Sequence, residues 1–160
     1  MKLPRIIKKN KLIYHITILA ILSILIIGIL TFFVYHQTWI GIVFILLGFF
    51  HLLILRAFKI ELQTLWPDLI FGAIDNGFLV LAAILGADFA GIAGAIVGSA
   101  AANSITDGFA GLFEGWTAEY LRKHRIKEQR SALTSALGKM AGCFFGAGIA
   151  FVILWSIFSL

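Results

Sequence analysis

Cysteine is nearly absent from this sequence. Cys143 stands alone among 160 residues, which excludes a disulfide scaffold and a cysteine-built zinc finger. Charge is scarce too: 13% of the residues are charged, against about 25% in a typical soluble domain. That shortage excludes an ordinary water-soluble globule and, with it, a large soluble catalytic domain. What fills the chain instead is apolar. Hydrophobic residues make up 61% of it, and the mean hydropathy is +1.00. At about 20 apolar residues per spanning helix, the length holds about five spans and little else.

The apolar runs and their breaks predict an all-α polytopic membrane protein with five transmembrane helices. The first span is expected at Leu12 to Val34, behind the basic stretch MKLPRIIKKNK. It is too long for a signal-peptide core and lacks a small-residue cleavage site, so it reads as a retained helix. After the polar turn His36-Gln37-Thr38-Trp39, a second span runs from Ile40 to Leu55. Arg56 to Trp66 is amphipathic and is expected to lie in the membrane interface. Pro67 suits the first turn of a third helix reaching Ala87, with Asp88 in a tight turn. The fourth is expected from Ala90 to Phe113, continuing to Tyr120, and the fifth from Leu137 to Phe158.

The 13 Lys and Arg residues orient these spans. Five precede the first span, two lie between the second and third, and six lie between Arg122 and Lys139. With five spans every basic segment falls on one side. The positive-inside rule then places the N-terminus in the cytoplasm and the C-terminus outside. A bacterial or archaeal inner membrane is the expected location. The net charge of +5 therefore reports orientation, not a nucleic-acid partner. The basic loop 122–130, RKHRIKEQR, fits the headgroup region and is a candidate surface for anionic lipid.

The chain forms one membrane domain with two unlike parts. Residues 1–66, rich in Ile, Leu and Phe, are expected to form two peripheral, lipid-facing helices and the interfacial segment. Residues 67–160 carry most of the Gly and Ala and form the expected three-helix functional core. Gly94 and Gly98, and Gly138, Gly142 and Gly146 with Ala150, form stripes suited to close helix contact. Such stripes serve within one chain or between the subunits of a homodimer.

Carboxylates within a span cost several kcal/mol unless compensated, which makes them functional candidates. Asp68 and Asp75 are seven residues apart and share a helix face, with Asn76 beside Asp75. Asn103, Asp107 and Glu114 form a second stripe. A hairpin turn near Asp88 predicts two layers, Asp75 with Asn103 deeper and Asp68 with Asp107 nearer the cytoplasm, with Glu114 at the mouth. No Lys or Arg is expected within the spans to neutralise these acids. A proton or a bound divalent cation is then the compensating charge, and oxygen donors suit Mg²⁺, Mn²⁺ or Fe²⁺. Asp68, following Pro67, either caps its helix or ligates. His51 in the second span reads as a packing histidine, with ligation or proton relay as the other role. Met140 and Cys143 read as packing residues, with softer ligation as the alternative.

Two segments resemble a known family. FGAIDNGFLVLAAILGA is similar to the first-helix motif of vacuolar iron transporters and their bacterial relatives, carried by Phe71, Gly72, Ala73, Asp75 and Gly77. ITDGFAGLFEGWTAEYL is similar to the second-helix motif, carried by Asp107, Gly108, Phe109, Glu119, Tyr120 and Leu121. The resemblance covers a two-helix hairpin. It implies a dimer of five-span subunits exchanging Fe²⁺ or Mn²⁺ for protons, with Asp75 as the pathway aspartate. This sequence departs from the pattern in placing two spans before the hairpin, in inserting Asn76 between acid and glycine, and in lacking a methionine near Asp107. A short basic loop replaces the family's acidic insert.

Three functions follow as expectations. The foremost is a divalent-cation transporter, coupled to protons because a carboxylate holds either load but not both. Its metal-ligating candidates are Asp68, Asp75, Asn76, Asn103, Asp107 and Glu114, its transported ion Fe²⁺ or Mn²⁺, and no organic cofactor or catalytic residue is expected. The second is a non-catalytic membrane assembly or partner subunit, with the glycine faces as contacts. The third is a membrane phosphatidyltransferase, because NSITDGFAG imitates part of that motif. Its Ala-Arg pair is missing, and Glu114 and Glu119 are wrongly spaced.

Overall fold

In the computed structural model the described residues are 5–35, 39–57, 59–60, 62, 65–124 and 131–158. They form four helices: α1 (Arg5–Tyr35), α2 (Ile40–Ala57), α3 (Trp66–Lys123) and α4 (Ala132–Phe158). All four are long and apolar enough to cross a membrane. The expected third and fourth helices are one element here. Asp88 does not make the turn, because helical geometry continues through it. The helix breaks at Ala90 and Gly91, and Gly91 takes φ 59° and ψ −141°. Glycine alone tolerates that backbone, because every other residue has a Cβ in the way.

The break folds α3 back on itself. The first arm, residues 66–89, lies against the second, residues 92–123. A methyl placed on Gly94 would strike the Gly86 carbonyl, and one on Gly98 the Ala82 carbonyl. The first arm also packs against α4. Methyls on Gly142 and Gly146 would strike the carbonyls of Leu69 and Ala73, and one on Gly72 the carbonyl of Lys139. Both predicted glycine stripes thus make contacts within the chain. Side chains gain little by leaving lipid for one another, so backbone approach of this kind is what holds membrane helices together.

α2 packs on α4 from another side. Gly41 and Gly148 touch backbone to backbone, and Gly48 sits on the Phe145 ring. Phe44 lies between Phe144 and Phe151, at centroid distances of 5.9 and 5.5 Å. The expectation of a lipid-facing α2 is therefore corrected: Gly41, Val43, Leu47, Gly48, His51 and Leu55 are buried. Packing divides the chain at 40/41, not at 66/67, and groups α2 with α3 and α4. α1 belongs to the other unit. Two of its hydroxyls are satisfied by its own backbone, Thr17 on the Ile13 carbonyl at 3.0 Å and Ser23 on Leu19 at 2.8 Å, as suits an apolar span.

Between α2 and α3, Ile60 N–H donates to the Leu55 carbonyl at 3.1 Å. Lys59 takes a positive φ of 57° and closes the end of α2. Residues 58, 61, 63 and 64 of the expected interfacial segment lie outside the described residues, as do residues 36–38 of the first turn and 125–130 of the basic loop. α3 ends in an aromatic ladder, Trp116 on Tyr120 at 5.8 Å and Tyr120 on His124 at 4.1 Å, the composition of an interfacial belt. α4 begins five residues before the expected Leu137. Ser131 N–H donates to Thr134 Oγ1 at 2.9 Å and Thr134 N–H to Ser131 Oγ at 3.2 Å. This reciprocal cap satisfies two donors and starts the helix at Ala132.

Candidate functional site

Asp75 is 8% exposed and is the one buried acid among the described residues. It lies on the inner face of the first arm. Thr106, 7% exposed on the second arm, donates its hydroxyl to Asp75 Oδ1. The pair lies in register about the break: Asp75 stands 15 residues before Ala90, and Thr106 stands 15 after Gly91. The expected deep layer of Asp75 with Asn103 is thus corrected. The turn lies two residues later than Asp88, and this brings Thr106 to the acid instead.

Thr106 Oγ1 is also 3.0 Å from the Ala102 carbonyl and 3.1 Å from that of Asn103. One hydroxyl has one proton, so these acceptors compete for it. A carboxylate outcompetes a neutral carbonyl, since a hydrogen bond to a charged acceptor is roughly twice as strong.

The other predicted site residues separate. Asn103 donates to Asp107 Oδ2 at 3.0 Å on the same arm. Asn103 is half-buried and Asp107 is exposed. Asp68 does not meet Asp107. Its Oδ1 accepts from Ser135 of α4 at 2.9 Å, in the first turn of α3, where negative charge is favoured. Asn76 is half-buried beside Asp75. Glu114 is exposed, and its Oε1 lies 3.9 Å from Lys139 Nζ. Among the described residues, no three His, Cys, Asp or Glu side chains converge as a metal-binding group.

Lys139 overturns the expectation that the spans hold no cation. It lies two turns inside α4 and within the span already expected from Leu137. Its ammonium lies 4.5 Å from the Phe71 centroid, a cation–π distance. Thr106 and Lys139 are the two residues that sequence reasoning missed. The signals for both were present, in the glycine pattern that centres the hairpin and in the position of Lys139 two residues inside the span expected from Leu137.

His51 is 1% exposed and packs its ring 5.1 Å from Phe144. Its Nδ1 is 2.9 Å from the Leu47 carbonyl, so Nδ1 carries the proton. Nε2 is buried with no hydrogen-bond partner among the described residues. Cys143 is a free, half-buried thiol, and Met140 is half-buried near it on α4.

Comparison of the chain with protein-family models, with curated proteins and with solved structures gives no match.

Proposed function

We propose that this chain is an integral membrane transporter for divalent cations, Fe²⁺ or Mn²⁺, with Asp75 carrying either the metal or a proton. The observation that carries this reading is the one buried acid among the described residues, held between two apolar helical arms, whose polar partner is a hydroxyl and not a base. A carboxylate in that setting requires a positive load. Thr106 serves both states. To an ionised Asp75 it donates. When Asp75 is protonated, the acid donates to Thr106 Oγ1, and the threonine proton turns to the Ala102 or Asn103 carbonyl. A metal ion gains the carboxylate and the hydroxyl oxygen as donors, a hard set suited to Mn²⁺ and Fe²⁺.

The topology that goes with this reading counts the two arms of α3 as separate spans. That makes five, with the N-terminus in the cytoplasm, the C-terminus outside, and a bacterial or archaeal inner membrane as the location. The two arms carry the two motifs that resemble vacuolar iron transporters. The working unit is a homodimer, supported by the Asn103–Asp107 pair. A polar pair on an exposed helix face is expensive in lipid and is relieved by a second subunit. Basic residues from Arg122 onward meet anionic headgroups.

Reconstitution into proteoliposomes tests the proposal. Wild-type protein is expected to carry Mn²⁺ or Fe²⁺ at a rate that depends on a pH gradient, and Asp75→Asn, which keeps shape and loses charge, to abolish that flux while remaining folded. Wild-type flux in Asp75→Asn sinks the reading. An assembly subunit then takes its place, supported by the glycine contacts. Catalysis on lipid is less favoured, because Asp107 and Glu114, two acids of the phosphatidyltransferase-like pattern, are exposed and paired elsewhere.

A further inference from the structure

Lysine within an apolar span is expensive and seldom without a task. Lys139 stands two turns inside α4. Its ammonium rests on the Phe71 ring at 4.5 Å and lies 3.9 Å from Glu114 Oε1. Phe71 and Asp75 are one helical turn apart on the first arm of α3. Lys139 and Cys143 are one turn apart on α4. The helices are in backbone contact here, because Gly72 presents only backbone to the Lys139 carbonyl. The Lys139 backbone therefore lies level with Gly72, about one helical turn along the axis from Asp75.

A four-carbon stem with rotatable bonds spans that distance. Other groups near this path are accounted for. Asp68 is bonded to Ser135, and His51 of α2 lies against Phe144, a neighbouring face of α4. Glu114, exposed on the second arm, completes a route with an acid at each end.

We propose that Lys139 is a tethered counter-ion, pairing with Asp75 when that carboxylate is ionised and empty and withdrawing to Glu114 and the Phe71 ring when a divalent cation or a proton arrives. This rests on the transport reading of Asp75. A proton removes the charge that attracts the ammonium, and a divalent cation repels it. A monovalent ion brings no more charge than the lysine already supplies, so the exchange favours divalent cargo. Glu114 acts as the resting place of the displaced amine and not as a metal ligand.

The test is Mn²⁺ binding to the purified full chain in detergent at fixed pH. Lys139→Gln is expected to bind Mn²⁺ about tenfold tighter or more, because a like charge leaves the vicinity of the site. Lys139→Met, which keeps an apolar stem for lipid, should do the same, and Lys139→Arg should stay near wild type. Glu114→Gln should weaken binding in the wild-type background and change nothing in Lys139→Gln. A direct ligand would lose affinity in both backgrounds. Unchanged or weaker binding in both neutral Lys139 variants overturns the proposal, as does a Glu114→Gln loss that persists without the lysine. Asp75→Asn in the same assay separates the two ideas. If it binds Mn²⁺ like wild type, the Asp75 reading fails. If it does not bind and the neutral Lys139 variants are no tighter, only the counter-ion fails.

Discussion

Replacing Thr106 by valine removes a hydroxyl and almost nothing else. The two side chains have similar volume, both branch at Cβ, and the site is a helix interior where either fits. The Ala102 and Asn103 carbonyls lose only a secondary donor. Asp75 loses the hydroxyl bonded to Oδ1. At 8% exposure the acid has little access to water in exchange. A hydrogen bond to a charged group contributes about 1.5–3 kcal/mol, so Thr106→Val should weaken Mn²⁺ binding by roughly 10- to 100-fold at fixed pH, at about 1.4 kcal/mol per factor of ten. Thr106→Ser, which returns the hydroxyl, should recover most of that loss. In an Asp75→Asn background the valine should cost far less stability, since only a neutral pair is then broken. The measurements are calorimetric Mn²⁺ titration and thermal unfolding in one detergent. Valine and serine variants that bind equally, at any level, would refute the assignment of Thr106 as the partner of the working carboxylate.

Gly91→Ala tests the hairpin without steric interference, because nothing lies within 4 Å of the added methyl. The cost is therefore conformational, about 1–3 kcal/mol, and a melting temperature equal to wild type would rule out the positive-φ break. The glycines of the two α3 arms and α4 should divide by position. Gly142→Leu drives a side chain into the Leu69 backbone and should unfold the chain or cost at least the roughly 1–3 kcal/mol of overpacking. Gly111→Leu enters open space, so it should preserve the fold and convert a dimer to a monomer on size exclusion. A dimer that survives Gly111→Leu removes that face from the interface. A cysteine added after Leu160 should react with an impermeant thiol reagent on intact cells, and labelling only after lysis would reverse the proposed orientation.

The helical class was legible because apolar runs of spanning length admit few alternatives. Asp75 was legible through the cost of an acid among such residues. Its partner was not. Asp88 has the chemistry of a turn residue, whereas the chain turns where a positive φ is required, at Gly91. In a helical hairpin a two-residue error in the turn moves the partner by three to four residues, and here it exchanges Asn103 for Thr106. The error at Lys139 has another origin. Lys139 falls inside the span expected from Leu137 yet counts among the basic residues of the preceding loop, and that double placement hides a cation set two turns inside α4. α2 was misjudged because Gly41 and Gly48 are inconspicuous in a run of Ile, Leu and Phe. Two glycines a turn pair apart suffice to seat that helix on α4.

The contact of Gly86 with Gly94 also has a mechanical consequence. With only Ala90 and Gly91 outside helical geometry and backbones already touching just beyond them, the two arms of α3 behave as a closed clasp. Spreading them would separate glycine from glycine first and Asp75 from Thr106 next, so they move as one piece. The α4 face opposite them differs. Gly138, Gly142 and Gly146 carry no side-chain ridges, and interlocking ridges are what hold packed helices in a fixed axial position. Such a face resists being lifted away yet offers few steps against gliding along its length. Shear of α4 past a stiff hairpin is therefore the displacement this face would oppose least, and it would carry Ser135, Lys139 and Cys143 past Asp68, Phe71 and Asp75 together.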